Sequence, residues 1–329
     1  MRIRQSLASM LKVLVSALLL YLVFRSVDLS KIRHDLANLS ATHLVTLLLV
    51  CWLGQMLCAQ RWRLFAASLG MPGNYRSFFQ MYFVGMLFNV GMPSLVGGDL
   101  IKAYMVSRKS RSPLRSGLAS VLQERAAGLI SLLAYGTVAA VVWPLGWRNI
   151  PLWIAYGVVW IGVVAVVWVA WRGESFYRRL LGGRPASLLA KILTLLADFH
   201  QALATMRLTS GAVFQVVALS FVNSALVLWL FRGVSVAAGH PAPLVAFSAL
   251  FPLIVLLTML PITIGGLGIR EWAYVEALAL LGIPHDNALL IALITSTFLI
   301  VNNLAGVLFL PTIPSDLRFK PDTRGNPLS

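Results

Sequence analysis

The sequence predicts an all-α integral membrane protein: about six full transmembrane helices plus two opposed re-entrant hairpins, arranged as an inverted repeat. Three observations predict it. The chain is 59% hydrophobic and only 12% charged, against about 25% charged in an average soluble domain, so too few polar groups are present to cover a water-soluble globule. Six apolar runs reach the roughly 18 residues needed to cross a bilayer as a helix. Two further apolar runs are each interrupted by a similar passage, PSLVGGDLIKAY from Pro93 to Tyr104 and PITIGGLGIREW from Pro261 to Trp272. The alternative is eight full spans, with each interrupted run a kinked helix.

The elements follow in chain order. The first apolar run, 7–24, follows a basic start and looks like a signal peptide, but it lacks a small-x-small cleavage site and is read as a retained helix. The second, 41–59, carries Cys51 and Cys58, about two turns apart on one face and too distant for a disulfide. The first interrupted run covers 78–106. Spans at 117–143 and 151–171 follow. In the 172–210 connection, Leu188, Leu189, Ile192, Leu195, Leu196, Phe199 and Leu203 recur at helical spacing, which predicts an amphipathic helix over 186–206 lying on the membrane surface or covering the bundle. A span at 211–231, the second interrupted run at 243–283 and a last span at 287–310 complete one polytopic domain over 1–310, before a polar tail at 311–329.

Charge sets the orientation. The net charge is +16, and no nucleic-acid motif accompanies it; basic residues instead collect in cytoplasmic loops beside anionic lipid. The 60–77 connection holds Arg61, Arg63 and Arg76, and 102–116 holds Lys102, Arg108, Lys109, Arg111 and Arg115. Both belong inside, so the run between them dips in and returns. The second run then dips in from the opposite face, and both termini of this multi-pass protein of the cytoplasmic (inner) membrane lie inside.

The two passages align. With Pro93 on Pro261, Gly97 and Gly98 fall on Gly265 and Gly266, Ile101 on Ile269, Lys102 on Arg270 and Tyr104 on Trp272. The repeat halves, about 1–143 and 151–310, each read span, span, hairpin, span. Starting on opposite faces, they form the inverted repeat of many transporters.

Irregular backbone at membrane depth needs protein or a water-filled cavity around it. Proline breaks the preceding helix, and glycine lets the backbone turn and expose N–H groups. A helix restarting after Gly98 or Gly266 points its positive end into the membrane, which favours an anion. Lys102 and Arg270 add whole charges; the competing reading is a close helix crossing with snorkelling cations. Asp99 stands three residues before Lys102, within pairing distance on a helix. Glu124 and Arg125 lie inside the 117–143 span and, being adjacent, need different partners. Ionisable groups at that depth mark a pathway or relay; Glu124 otherwise forms a static pair, with Lys102 or Arg270 as the expected cation. Asn89 is a cavity-lining or hydrogen-bonding group, and Asn302 and Asn303 are expected to form interhelical hydrogen bonds. No histidine pair has metal-ligand spacing, and no nucleotide or hydrolase motif stands in a credible context. The reading therefore expects no catalytic residue, metal or cofactor.

At these residues the chain resembles the transmembrane region of lysylphosphatidylglycerol synthases, a family that includes free-standing flippase-like proteins. The resemblance rests on Phe88, Asn89, Pro93, Gly97, Gly98 and Asp99, on Glu124, Arg125, Gly128 and Leu129, and on Pro261, Gly265, Gly266, Leu267, Gly268, Arg270 and Glu271. It covers roughly residues 10–310, with Lys102 where arginine is more usual. The resemblance implies movement of a lipid between leaflets, with free-standing members associated with several lipids, including polyprenyl-phosphate-linked sugars and hopanoids. The synthase members add a cytosolic aminoacyl-transferase domain; this chain ends in a short polar tail at Ser329, so lipid aminoacylation is not expected.

The resulting expectation is flipping of a lipid with an anionic headgroup, such as a phospholipid or a polyprenyl-phosphate-linked lipid. Gly97, Gly98, Gly265, Gly266 and Gly268 shape the headgroup site beside Asn89; Lys102, Arg125 and Arg270 attract it; Asp99, Glu124 and Glu271 hold the cations or relay protons. The alternatives are transport of a hopanoid or other lipid, a membrane transferase on lipid-linked substrates, and a non-transporting partner of a glycosyltransferase or lipid-synthesis enzyme.

Overall fold

The computed structural model describes residues 40–91, 97–171, 208–259 and 268–313. The expected first span at 7–24, the surface helix at 186–206, nearly all of the tail, and Pro93, Pro261, Gly265, Gly266 and Leu267 lie outside them. Every element among the described residues is helical. In chain order they are α1 (Ala41–Ser68), α2 (Tyr75–Gly91), α3 (Gly97–Ser110), α4 (Leu114–Val142), α5 (Ile150–Trp171), α6 (Ser210–Ala237), α7 (Leu244–Met259), α8 (Ile269–Ala279) and α9 (His285–Leu304), with short 3-10 turns at Gly146–Arg148 and Ala305–Thr312.

Five helices are long and apolar enough to cross a membrane: α1, α4, α5, α6, and α9 with the 3-10 turn that continues it. They match the five expected spans among the described residues. Their outer faces carry large apolar side chains, such as Phe214 at 74% exposed and Ile161 at 71%, as a helix facing acyl chains requires. The chain is an all-α integral membrane protein.

Two boundaries are corrected. The sequence places α6 at 211–231, and the helix runs on to Ala237. It places α1 at 41–59 and Arg61 in the connection after it. The helix runs on to Ser68, because apolar residues continue at helical spacing through Trp62, Phe65 and Ala66, all buried. It closes in a Schellman turn: Gly70 has φ 79°, and Met71 N–H donates to the Ala66 carbonyl at 2.9 Å.

Each interrupted run is a pair of shorter helices. The arms number 17 and 14 residues in α2 and α3, and 16 and 11 in α7 and α8, below the ~20 of a typical span. The arms α2 and α3 lie antiparallel. Gly98 sits against Gly85 and Asn89, Lys102 lies over the Tyr82 ring at 4.4 Å, and Lys109 reaches Ser77. The second pair likewise packs arm against arm, with Tyr274 of α8 beside Phe247 and Phe251 of α7.

The packing has a reciprocal pattern. Helix α4, which follows the first pair, packs on α7 of the second; α9, which follows the second pair, packs on α2 of the first. Helix α1 packs on α6. Two cores result. One, around Trp62, Phe78, Met81 and Ile101, encloses α2 and α3. The other, around Phe231, Phe247, Tyr274 and Leu289, encloses α7 and α8. Helix α7 contains Pro252, whose ring fits over Gly136 of α4, and Tyr156 of α5 donates to the Ala249 carbonyl at 2.8 Å near this break.

Candidate functional site

The tip of the first pair is built from a close backbone approach. A Cβ on Gly98 would lie 2.2 Å from the Gly85 carbonyl oxygen and 2.4 Å from Asn89 Oδ1. Only glycine fits there. With the backbones so near, Asn89 Oδ1 accepts the Gly98 N–H at 3.0 Å. One of the free N–H groups at the start of α3 is thus capped from α2.

The charges of α3 and α4 meet behind this tip. Asp99 and Lys102 pair at 2.9 Å across one turn of α3, and Asp99 also pairs with Arg125 of α4. Lys102 is sandwiched by aromatic rings, Tyr82 at 4.4 Å and Trp62 at 5.8 Å, which favours a cation stripped of water. Glu124 takes a different partner from its neighbour, as adjacent helical residues must. That partner is neither Lys102 nor Arg270, as the sequence led us to expect. It is Arg61 of α1, at 2.5 Å with both side chains 3% exposed. Arg61 also donates to Ser220 Oγ of α6 at 3.2 Å. Gly128, one turn after Glu124, makes room for the guanidinium: its Cβ would lie 2.9 Å from Arg61 Nη2.

Among the described residues, three cations therefore face two carboxylates in one cluster: Arg61, Lys102 and Arg125 against Asp99 and Glu124. Arg125 is the open member, its side chain 30% exposed against 5% for Lys102. An excess positive charge in a site of low dielectric attracts an anion far more strongly than it would in water. Arg61 was missed because it was counted as a loop residue. The signal available was the apolar spacing that continues past it, and a buried Glu124 in want of a cation.

The second passage differs. Gly268 has φ 83°, a conformation that favours glycine, and precedes the first residue of α8. Its N–H donates to Glu271 Oε2 at 2.7 Å, and Ser296 Oγ of α9 donates to Glu271 Oε1 at 2.5 Å. Glu271 is thus the cap of its own helix, held by α9. Arg270, beside it, is half-buried. Asn302 is fully buried on α9, yet neither side-chain polar atom has a hydrogen-bond partner among the described residues. The interhelical bond expected of it is not found among them.

The comparisons with known proteins bear on what such a site serves. A "UPF0104 membrane protein" of Methanothermobacter thermautotrophicus is 22% identical over 63% of this chain and 66% of its own length. A second UPF0104 membrane protein, from Methanocaldococcus jannaschii, is 24% identical over 36% of this chain and 35% of its own. The chain thus spans less than two thirds of the length of either relative. No solved structure matches it. The family model described as the lysylphosphatidylglycerol synthase TM region matches residues 9–306, nearly the whole chain, and the protein belongs to that family.

Proposed function

We propose that the protein moves a lipid with an anionic headgroup between the leaflets of the cytoplasmic membrane. The observation that carries the reading is the cluster of Arg61, Lys102, Arg125, Asp99 and Glu124, charged groups gathered at a broken helix inside a membrane domain. Ionisable groups at that depth are costly and mark a pathway or relay, and a headgroup phosphate or carboxylate can exchange with Asp99 on the partly exposed Arg125. Arg125 is the point of entry: an arriving anion competes with Asp99 for the guanidinium, while the sealed Arg61–Glu124 pair holds α1 and α4 together.

The same reading treats the two helix pairs as re-entrant hairpins entering from opposite faces in an inverted repeat, with both termini cytoplasmic. The antiparallel arms of α2 and α3 and the reciprocal packing of α4 on α7 and α9 on α2 support it. Gly265, Gly266, Gly268 and Arg270 would supply the site from the second hairpin. Glu271 acts there as a helix cap. No chemical turnover is proposed.

A second reading has one observation in its favour. Glu124, Asp99 and Glu271 are all engaged by groups of the protein itself, as in a static scaffold. A non-transporting partner of a glycosyltransferase or lipid-synthesis enzyme would be built that way.

Purified protein in liposomes, with labelled phosphatidylglycerol, polyprenyl phosphate and phosphatidylcholine, separates the two. The transport reading expects the anionic probes to cross faster than the zwitterionic one, and Arg270→Ala and Glu124→Gln to stop them. No movement of any probe by folded protein would favour the scaffold.

A further inference from the structure

A second cluster of basic and polar groups lies away from the buried one. At the open end of the α2–α3 pair, a half-open cavity of about 210 Å³ is lined by Asn74, Arg76, Ser77, Gln80, Lys109 and Thr312, with Met81 and Ile313 as its apolar members. Lys109 and Lys102 both lie on α3, seven residues or about 10 Å apart along the helix. Among the described residues, two cations line this cavity and no carboxylate does. It sits at the start of α2, where the helix dipole presents positive charge. Asn74 caps that start, its Oδ1 accepting the Ser77 N–H at 3.0 Å, so the cap is preformed. Lys109 reaches Ser77 from the neighbouring arm, which places its ammonium at the same helix end.

We propose that this cavity binds a phosphate group at the membrane surface, on the face that the basic connections assign to the cytoplasm. Arg76 and Lys109 supply charge, Arg76 in the fork geometry that suits phosphate. Ser77 and Gln80 supply neutral donors. The volume is below the ~300–1,000 Å³ of sites for drug-sized ligands, a size that suits a compact phosphate. The site joins three elements: both arms of the first pair and the 3-10 turn at Ala305–Thr312. Its occupation would tie the mouth of that pair to the end of the last span. This assignment is independent of what the buried cluster transports.

The test uses full-length protein in phosphatidylcholine nanodiscs, with phosphatidic acid as lipid probe and inorganic phosphate as soluble probe. Native mass spectrometry reads lipid retention. Wild type should retain phosphatidic acid, and Arg76→Gln/Lys109→Gln should weaken retention about tenfold or more, as expected for loss of charge-assisted hydrogen bonds. Arg76→Lys should keep most of it, and Arg111→Gln/Arg115→Gln, which removes the same charge outside the cavity, should leave it unchanged. Displacement of the lipid by excess inorganic phosphate would assign the site to the free anion; retention against it would assign a lipid phosphomonoester. Equal loss in the two double variants, or no retention of either probe by folded wild type, would overturn the proposal.

Discussion

Replacing Arg61 by Met should be among the most damaging single changes in the protein. It removes the one cation that pairs with Glu124 at 2.5 Å, inside a site where both side chains are 3% exposed. An uncompensated buried carboxylate costs about 3–5 kcal/mol, whereas replacing both partners by apolar residues of similar volume is often neutral or stabilising. Arg61→Met and Glu124→Met should therefore each destabilise strongly, and Arg61→Met/Glu124→Met much less than their sum. The expected coupling is about 2 kcal/mol or more, within the range for residues in direct contact. The assay is reversible unfolding in mixed SDS micelles, followed by tryptophan fluorescence; Trp62 sits beside Arg61 and reports on the same helix. Singles within about 0.5 kcal/mol of wild type, the usual range for a surface change, together with an additive double variant, would refute the sealed pair.

Three further changes test neighbouring parts of the account. Gly98→Ala puts a methyl 2.2 Å from the Gly85 carbonyl oxygen and should cost about 1–3 kcal/mol by overpacking, read by the same unfolding assay. Gly157→Ala, with nothing within 4 Å of the added carbon, should be tolerated beside it. Ser296→Ala removes the hydroxyl on Glu271 Oε1 and should destabilise by about 1–3 kcal/mol, while Ser296→Thr keeps most of the stability. Asn302→Leu removes a buried amide that has no hydrogen-bond partner among the described residues; thermal unfolding in detergent should show it neutral or stabilising, since none of the described bonds is lost.

The spans were legible in the sequence because the bilayer imposes one rule, a run of apolar residues long enough to cross. That rule finds all five spans, but it misplaces the ends of α1 and α6. A helix can leave the apolar run and stay buried against other protein, as α1 does through Arg61 and Trp62. The Asp99–Lys102 pair was legible because its spacing lies within one helix, and so was the need for Glu124 and Arg125 to part. The identity of Glu124's partner was not, since Arg61 is brought to it only by the packing of α1 on α4. The glycines were legible as special positions but not in role. Gly98 admits a backbone crossing, Gly128 admits a guanidinium, and Gly268 turns the chain into α8. Composition marks all three alike; only the neighbours distinguish them.

The most direct test of the account is the sidedness of the two helix pairs. With Cys51 and Cys58 replaced by serine, single cysteines are placed at the open ends: Tyr75→Cys and Arg115→Cys for the first pair, Leu244→Cys and His285→Cys for the second. A membrane-impermeant thiol reagent is then applied to oriented vesicles. Opposed hairpins predict that the first two label from the cytoplasmic face alone and the last two from the opposite face alone. Labelling of Tyr75→Cys and Arg115→Cys from different faces would make the first pair a kinked full span, and the inverted repeat would fall with it.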